Sequence, residues 1–421
     1  MVVCQEMDAG YLKDVDSMQK LSPAVAEPLK DECWTAETGC GRVEDLKLHA
    51  GSCRPLMPLS ACQQGSKLAV IATSYHQFVF RRPHTPSHTS PLTQSSRTTN
   101  MSNGLFQLTD IPEMGTGAVA NTKIAMGQQI LSEPPVFQVP TSVGPEKLAQ
   151  FILTELQRIE VDKRKEYFAL SNKFISMRPV EGIFKTNAIP LGNSAPAGGI
   201  FLQCSRFNHS CTANAAYHWN YEIGEERIYA VREICSGEQI TVNYLSDAVW
   251  ALPSAERKAR ICMEYQFQCN CNRCRCAAPE ERVESDKRRV RIAELDRAVG
   301  DGSFIMLNPS KCLSYCREAL NLLEEERESS PRLEQVYYDA FQICVCHGDL
   351  ARASRFAFLA TEQNRLWQGQ SAPGFAEMEA LVGRPESHRL AFQTTKWLSK
   401  SKRIRQQSCW TSEIWLWSRA G

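Results

Sequence analysis

Net charge is nearly absent from this sequence of 421 residues, because 48 lysines and arginines are balanced by 47 aspartates and glutamates. Proteins that bind nucleic acid through its phosphates carry a surplus of positive charge, so we expect no direct nucleic-acid partner. Long apolar runs are also absent, and no segment approaches the roughly 18 uninterrupted apolar residues of a membrane span. The N-terminal MVVCQEMDAG has no basic stretch followed by an apolar run. We therefore expect no signal peptide, no membrane contact, and an intracellular protein in the nucleus, the cytoplasm or both.

Cysteine, by contrast, is abundant, with 18 residues. Inside a cell such thiols are better explained as free buried groups or metal ligands than as disulfides. Cys269, Cys271 and Cys274 lie close enough for three thiolates to bind one ion, and this clustering favours zinc over unmetallated thiols. A structural zinc site needs a fourth ligand. Cys276 is the nearest candidate along the sequence and Cys211 requires the chain to fold back; spacing alone does not choose between them.

Residues 1–104 form an N-terminal region that we expect to be poorly ordered, and its residues 1–84 show no sustained periodicity. Its last part, residues 82–104, is rich in Pro, Ser and Thr and predicts a linker. A second group of possible zinc ligands in this region consists of Cys33, Cys40, His49 and Cys53. Their spacings match no common zinc finger, so a loosely ordered tail is the favoured interpretation.

The centre of the chain predicts short strands interrupted by helices. The runs LFQLTDI, GAVANTKI and QQILSEPPVFQV are β-prone and bounded by Gly and Pro, and later runs such as ANAAYHWNYEI, RIYAVREI and EQITVNYL are similar. Between them, residues 142–200 contain EKLAQFILTELQRI, whose apolar residues have helical spacing. We therefore expect a β-rich domain with a helical insertion, and an α+β fold class.

The chain after about residue 255 predicts helices, with hairpins broken at Pro331 and Gly348. Apolar residues at helical spacing fall on single faces and predict buried helix surfaces: Leu313, Cys316, Leu320 and Leu323 in one helix, and Val336, Ala340, Ile343 and Cys344 in another. The three tryptophans of the last dozen residues should also be buried. The basic run KWLSKSKRIRQQ is better explained by a solvated surface than by a nuclear signal.

Four sequence blocks, in order, carry a resemblance to a known family: IPEMGTGAVA, RFNHSC, EICSGEQITVNYL and FQCNCNRC. With them the segment 105–276 resembles a SET domain, the fold of protein-lysine methyltransferases, and is similar to the fungal SET proteins and the SET-and-MYND branch. The resemblance implies a post-SET zinc segment at 265–276 and an α-helical, tetratricopeptide-like domain at 277–421. It also implies S-adenosylmethionine as the cofactor and one zinc ion held by Cys211, Cys269, Cys271 and Cys274.

The resemblance assigns the cofactor site residue by residue. Gly115, Thr116 and Gly117 match the family's Gly-x-Gly turn, whose backbone approaches S-adenosylmethionine closely because no Cβ intervenes. Asn208 and His209 match its cofactor clamp. Phe267 matches an aromatic residue that stacks on the adenine, so zinc-dependent ordering of the post-SET segment would complete the pocket. Isolated from their motifs, a Gly-x-Gly is usually a turn and a buried histidine is usually part of the core.

Tyr244 matches the catalytic tyrosine of the family. Methyl transfer needs a neutral amine, whereas the pKa of a free lysine is ~10.4. An apolar channel next to a sulfonium disfavours the ammonium form, and a tyrosine hydroxyl can orient the amine. Tyr265 matches a second channel aromatic, and Tyr229 or Tyr217 could contribute. For these three residues, burial of a core aromatic is an equally good explanation.

Several positions depart from the family pattern. Met114 replaces the basic residue that commonly precedes Gly-x-Gly, Ala213 replaces a proline, and Gln239 replaces an acidic residue. The insertion contains no cysteine, so no MYND finger can form and peptide recruitment by that module is not inherited.

We therefore expect an S-adenosylmethionine-dependent protein-lysine N-methyltransferase that acts on a lysine-containing protein, such as a histone, as a monomer. The alternative is a non-catalytic SET-fold scaffold that binds a peptide and transfers nothing. The intact NHSC block, Tyr244 and Phe267 argue against that alternative, because a scaffold needs no cofactor clamp beside a channel hydroxyl. A zinc-dependent nucleic-acid binder is disfavoured by the balanced charge.

Overall fold

A computed structural model describes residues 104–192, 196–275, 278–328, 330–398 and 413–418 of the chain. The predictions for the N-terminal tail and the linker, apart from Gly104, lie outside the described residues, as do Cys276 and most of the basic run that starts at Lys396. Within the described part, no helix is both long and apolar enough to cross a membrane.

Ten short strands form the central part of the fold. In chain order they are β1 (Phe106–Ile111), β2 (Gly115–Ala120), β3 (Gln129–Glu133), β4 (Phe137–Pro140), β5 (Ile189–Pro190), β6 (Ala197–Ile200), β7 (Asn208–His209), β8 (Ala215–Asn220), β9 (Glu225–Ala230) and β10 (Gln239–Val242). They pair into three small sheets, with the strand orders β1-β2-β10-β7, β3-β9-β8 and β4-β6-β5. β7 and β10 run parallel, whereas the other pairs are antiparallel.

The insertion between β4 and β5 is helical, as its periodicity predicts. It consists of α1 (Pro145–Arg158), α2 (Val161–Phe168) and α3 (Pro179–Asn187). α1 begins with a proline, whose fixed φ suits the first helical turn, and it buries Leu148, Ile152 and Leu156 along one face. The segment 142–200 is not helical throughout, because β5 and β6 occupy its last part and return the chain to the strands.

Helices make up the described chain after β10. They are α4 (Asp247–Trp250), α5 (Ser254–Tyr265), α6 (Asn272–Arg275), α7 (Pro279–Val299), α8 (Gly302–Leu307), α9 (Pro309–Glu325), α10 (Ser330–Cys346), α11 (Leu350–Gln368), α12 (Phe375–Gly383) and α13 (Glu413–Trp417). Pro331 lies in the first turn of α10 rather than between helices. Gly348, with φ +85°, separates α10 from α11, since glycine adopts this left-handed conformation without a steric penalty.

The predicted apolar faces of α9 and α10 are buried. Leu313, Cys316, Leu320 and Leu323 are each 5% exposed or less, and Ala340, Ile343 and Cys344 are fully buried. Val336 is partly buried against the same core. Of the tryptophans near the C-terminus, Trp417 is buried and Trp415 is half-buried, whereas Trp410 lies outside the described residues.

The C-terminal helices dock onto the strands through hydrogen bonds as well as apolar contacts. The side-chain amide of Asn220, at the end of β8, donates to the carbonyl oxygen of Ser371 at 3.0 Å. The guanidinium of Arg227, on β9, donates to the Ser371 hydroxyl at 2.7 Å. On the other side, the Trp250 indole of α4 donates to Glu328, just after α9, at 3.1 Å. The helices therefore contact both β8–β9 and the segment that follows β10.

Candidate active site and metal centre

Four cysteines that are distant in sequence come together in the fold. The sulfurs of Cys211, Cys269, Cys271 and Cys274 all lie within 4.8 Å of one another, and all four residues are buried. Cys211 Sγ is 3.9 Å from Cys269 Sγ and 3.6 Å from Cys274 Sγ. Zn–S bonds of about 2.3 Å place neighbouring sulfurs of a tetrahedron about 3.8 Å apart. The spacing and the donor set therefore fit one zinc ion.

The four thiols of the cluster share hydrogen bonds, which shift their pKa values in opposite directions. Hydrogen bonding from Cys211 lowers the pKa of the Cys271 thiol and of the Cys274 thiol, which favours their thiolate forms. Hydrogen bonds to the other three cysteines raise the pKa of the Cys211 thiol, and the pKa of the Cys269 thiol is also raised. Thiolate is the form of cysteine that binds metal. Because the thiols share hydrogen bonds within one buried cluster, an ion that replaces their protons would bind all four.

Local backbone geometry explains how the post-SET cysteines reach Cys211. α5 ends at Tyr265, and the next residue, Gln266, has the left-handed φ of 57°. The three cysteines follow immediately, the last of them in the single turn of α6. Cys211 lies two residues after β7, at the edge of the first sheet. The left-handed turn thus lies directly before the segment that meets Cys211.

The Gly-x-Gly turn lies beside the NHSC block because β10 pairs with both β2 and β7. A Cβ on Gly117 would stand 2.7 Å from Asn208 Nδ2, so only glycine fits there without displacing its neighbours. Asn208 Nδ2 lies 3.5 Å from the Thr116 carbonyl oxygen. Gly115 has φ +76° and leaves open space on its Cβ side. All four predicted residues are therefore adjacent, with an uncrowded backbone at Gly115.

His209 connects this region to the end of β10. Its Nδ1 accepts a hydrogen bond from the Tyr244 backbone N–H at 3.1 Å, and its Nε2 lies 3.4 Å from Cys211 Sγ. The ring is 3% exposed, and burial lowers its pKa to about 4, so the imidazole is neutral at pH 7. Since Nδ1 accepts, Nε2 carries the proton and points it at the Cys211 sulfur.

Tyr244 belongs to an aromatic cluster with both post-SET aromatics. Its ring centroid lies 5.8 Å from that of Tyr265 and 6.5 Å from that of Phe267, and Phe267 lies 6.1 Å from the His209 ring. The Tyr265 hydroxyl donates to the Tyr244 carbonyl oxygen at 2.8 Å. The Tyr244 hydroxyl donates to the Phe207 carbonyl oxygen at 2.6 Å, and burial raises its pKa, so the phenol is protonated.

A pocket opens next to Tyr244, between the strands and the end of α3. Its lining includes Tyr244, Phe207, Tyr217, Ile228, Cys204 and Asn187. Most of the side chains around it are apolar, and its polar groups include the tyrosine hydroxyls. Such a pocket can accommodate a narrow alkyl chain and disfavours a charged end group.

The sheet register separates the two additional tyrosines. Tyr217 pairs with Ile228, so both side chains lie on the face that lines the pocket. Tyr229 pairs with Ala216 on the opposite face, where its hydroxyl donates to Gln129 at 2.8 Å. The placement of Tyr229 does not favour the predicted channel role, whereas that of Tyr217 does, because neighbouring residues of a strand point to opposite faces.

Some residues of the site were not predicted. Phe207 lies inside the quoted RFNHSC block and supplies the carbonyl oxygen that binds the Tyr244 hydroxyl, so its position next to Asn208 was a usable signal. Asn187 and its neighbours reach the pocket from the helical insertion. No pattern in the sequence marks them, because their place in the pocket lining depends on how α3 packs against the strands.

Comparison with known proteins finds one family match and several similar proteins. Residues 115–245 match the family model described as "SET domain". The chain is 29% identical over 289 residues to Histone-lysine N-methyltransferase set5 of Schizosaccharomyces pombe, which covers 68% of this chain and 86% of that protein. It is 23% identical over 207 residues to human Histone-lysine N-methyltransferase SMYD1, covering 44% of this chain but only 38% of that protein. Among solved structures, the SET domain of LSMT bound to lysine and AdoHcy aligns over 70% of this chain and 86% of that chain, with 13% identity and a TM-score of 0.29.

The family match and the fold show that residues 115–245 form a SET domain. The chain is similar both to a fungal SET5 protein and to the SMYD group. The predicted α+β SET fold with a helical C-terminal region is confirmed.

Proposed function

We propose that this protein is an S-adenosylmethionine-dependent protein-lysine N-methyltransferase that acts on histones or other lysine-containing proteins. The observation that carries the proposal is the position of His209, whose ring contacts both the Cys211 sulfur of the four-cysteine cluster and the backbone N–H of Tyr244. These contacts support the proposal that the pocket, the Tyr244 hydroxyl, the cofactor turn and the metal ligands belong to one site.

The residues present fit the cofactor. S-adenosylmethionine, when bound, supplies the methyl group. The residues that would hold it are Gly115, Thr116, Gly117, Asn208, His209 and Phe267. The absence of a side chain at Gly115 keeps its backbone accessible, and at Gly117 it lets Asn208 pack closely against the turn. The Phe267 ring lies beside His209 as an apolar surface. Met114 provides a thioether where the family usually has a positive charge, so the backbone contacts are the ones we expect to matter.

Tyr244 and the pocket act on the substrate lysine. The apolar lining disfavours the ammonium form, so the lysine gives up a proton to solvent before or as it enters. The Tyr244 hydroxyl, a neutral phenol held by the Phe207 carbonyl, orients the amine by a hydrogen bond. Tyr265 fixes the backbone of Tyr244, and Tyr217 lines the pocket on the other side. These side chains position the amine and exclude water.

The four cysteines have a structural role in this proposal. A closed set of four thiolates leaves no open coordination position, which is typical of structural rather than catalytic zinc. The residues that would hold zinc are Cys211, Cys269, Cys271 and Cys274, and a shared ion there would tie residues 267–274 to the first sheet. Held in this way, the segment would keep Phe267 next to Tyr244, so the metal would support activity without touching the substrate.

The names of the relatives support a histone lysine as one substrate, because set5 and SMYD1 are both named histone-lysine N-methyltransferases. A protein substrate in the nucleus or the cytoplasm is consistent with that class. The balanced charge supports a protein partner rather than direct binding to nucleic acid, and we propose that the enzyme acts as a monomer.

The test is transfer of labelled methyl groups to core histones and to a cell lysate by the purified, zinc-loaded protein. Tyr244→Phe should lower transfer about 100-fold or more, because the positioned hydroxyl is lost from the site. Tyr221→Phe is the matched control, since Tyr221 is 56% exposed at the tip between β8 and β9 and should transfer normally. Tyr217→Phe and Tyr229→Phe in the same assay decide which tyrosine belongs to the channel.

Binding of S-adenosylmethionine is measured in parallel by calorimetry. Cofactor binding with Tyr244-dependent transfer supports the enzyme. If the folded, zinc-loaded protein neither binds the cofactor nor labels any protein, the non-catalytic scaffold becomes the better explanation.

A further inference from the structure

A buried arginine lies on the helix that leads into the metal cluster. Arg257, Ile261 and Tyr265 are four residues apart and form one face of α5. Ile261 and Tyr265 pack in the same apolar cluster as the cysteines. Arg257, one turn further from the post-SET segment, is 0% exposed. A guanidinium on this face therefore sits in the protein interior beside the metal ligands.

Few oxygen atoms lie close enough to Arg257 to offset its positive charge. Its Nη1 donates to the Leu252 carbonyl oxygen at 2.5 Å. Asp286 is at the limit of ion-pair distance, 4.0 Å, and its carboxylate oxygens accept hydrogen bonds from the N–H and the hydroxyl of Ser254 at 2.8 Å. Within the part of the chain that the structure describes, Arg257 Nε and Nη2 have no hydrogen-bond partner.

A fully buried cation with two unsatisfied nitrogens is costly, since desolvation is offset only by a nearby anion or by hydrogen bonds. The anion next to α5 is the thiolate cluster. Four thiolates with one Zn²⁺ have a formal charge of about −2, which also needs compensation in a buried site. Burial lowers the pKa of Arg257, but the thiolates of Cys211 and Cys274 outweigh this effect and raise it, as expected for a neighbouring anion.

A second arginine near the cluster differs in its partners. Arg289 Nη2 donates to the Cys211 carbonyl oxygen at 3.3 Å, so it holds the backbone of a ligand. Its Nε donates to Glu326 at 2.9 Å, and Glu326 is itself fully buried. The positive charge of Arg289 is thus matched by a carboxylate, whereas that of Arg257 is available to the sulfurs.

We propose that Arg257 is a positioning residue for the zinc site, whose Nε–H and Nη2–H face the thiolates and offset the negative charge of the zinc–cysteine cluster. This inference rests on the proposed zinc site. It identifies a residue other than the four ligands whose charge affects zinc affinity. This residue lies on α5, the helix that also carries Tyr265. Groups next to metal ligands commonly change metal affinity 10- to 100-fold when they are removed.

The experiment measures the dissociation constant of zinc for the full chain by competition with a chromophoric chelator. Arg257→Met, which keeps much of the side-chain volume, should weaken zinc binding roughly 10- to 100-fold. Arg257→Lys keeps the positive charge and should lose less zinc affinity than Arg257→Gln, which keeps hydrogen-bond donors but no charge. Arg291→Met is the matched control, because Arg291 is 41% exposed, pairs with Glu318 on the surface and should change the constant by less than about twofold.

A spectroscopic measurement separates electrostatics from folding. With Co²⁺ in place of zinc, the thiolate-to-cobalt absorption band should shift in Arg257→Met and Arg257→Gln, and stay unchanged in Arg257→Lys and Arg291→Met. A wild-type zinc affinity and an unshifted band in folded Arg257→Met would overturn the inference. If that variant does not fold, equal zinc affinities for the Lys and Gln variants overturn it. A wild-type chain that binds no zinc overturns the zinc site itself, a result distinct from the others.

Discussion

The imidazole of His209 lies between Cys211 and Tyr244, with its Nε2 3.4 Å from the Cys211 sulfur and its Nδ1 accepting from the Tyr244 N–H at 3.1 Å. One neutral ring therefore couples the metal cluster to the backbone of the proposed catalytic residue. The pairing of β7 with β10 makes this contact possible, because it aligns His209 with Val242, two residues before Tyr244.

This contact gives the first prediction, on His209. His209→Ala leaves the Tyr244 N–H without its acceptor, and an unsatisfied buried donor costs about 1–3 kcal/mol. We expect the free energy of unfolding to fall by that amount and methyl transfer to fall with it. In His209→Asn the side-chain oxygen can take the place of Nδ1, so this variant should retain more stability and more methyl transfer than His209→Ala. Denaturant unfolding and transfer assays on the two variants check this, and equal losses would contradict it.

The second prediction concerns the contact between Gly117 and Asn208. Gly117→Ala would place a Cβ 2.7 Å from Asn208 Nδ2 and 2.7 Å from Ile111 Cγ1, closer than real Cβ contacts. The clash should displace Asn208 and weaken S-adenosylmethionine binding tenfold or more, about 1.4 kcal/mol, as measured by calorimetry.

Gly224→Ala is the control for that variant. Gly224 has φ +70° in the turn between β8 and β9, and its Cβ would meet nothing within 4 Å. It should lower stability by about 1–2 kcal/mol through backbone strain and leave the cofactor affinity unchanged. A Gly117→Ala variant with normal affinity would show that the turn does not shape the cofactor site.

The third prediction concerns Glu326, which joins the C-terminal helices to the post-SET segment. Its carboxylate is fully buried and accepts hydrogen bonds from Ser285 Oγ at 2.8 Å, Arg288 Nε at 2.8 Å and Arg289 Nε at 2.9 Å, with Arg273 Nε 3.8 Å away. Glu326→Gln leaves buried guanidinium charge uncompensated, so the free energy of unfolding should fall by about 3–5 kcal/mol. Denaturant unfolding of the zinc-loaded protein measures it.

The control for Glu326 is Glu318→Gln. Glu318 pairs with Arg291 at 2.7 Å, but both side chains are more than 40% exposed. Exposed pairs contribute about 0–1 kcal/mol, so this variant should unfold almost as the wild type does. Equal effects of the two substitutions would rule out a special role for the buried carboxylate.

The fourth prediction is a pH dependence that arises in the C-terminal domain. His388 is 8% exposed, its ring packs 5.1 Å from Phe341, and its Nε2 lies 3.4 Å from the Tyr338 hydroxyl. Burial, together with the charge of Arg389, lowers its pKa from the ordinary 6.5 to about 4. The unfolded chain therefore binds a proton more readily than the folded one, and stability is lost as the pH falls from about 6.5 towards 4.

We expect the melting temperature of His388→Phe to fall less than that of the wild type between pH 6.5 and 4, because phenylalanine keeps the ring packing and does not titrate. Above pH 7 the difference between the two proteins should be constant. If the melting temperatures of the two proteins fall equally between pH 6.5 and 4, His388 does not contribute to the pH dependence of stability.

Much of the site was predictable because its residues occur in short sequence motifs. Cys269, Cys271 and Cys274 are near one another in the sequence, so a metal site followed from spacing and ligand chemistry without any fold. Tyr244, Asn208 and His209 came from resemblance to SET domains, since nothing in the spacing of these residues alone indicates a methyl-transfer site. The helices after β10 followed from periodicity, because their buried faces repeat at the helical period.

Other features needed the fold. The sequence predicts that side chains alternate between the two faces of β8 and β9, but it does not show which face lines the pocket. Tyr217 and Tyr229 were therefore equivalent candidates from the sequence. The strand register places them on opposite faces. Arg257 carried no signal at all. A charged residue in an amphipathic helix is ordinarily solvated, and only the packing of α5 against the cysteine cluster buries this one.

The sequence by itself determined the residue types of the site: four thiols able to share an ion, a glycine turn without side chains, and a tyrosine at the end of a β-prone run. Tertiary structure decided which of them meet. Cys211 meets the post-SET cysteines in one buried cluster, and His209 reaches Tyr244 because β7 pairs with β10. The physical reason is that local patterns fix helices, strands and ligand chemistry, whereas contacts across about 60 residues depend on how those elements pack together.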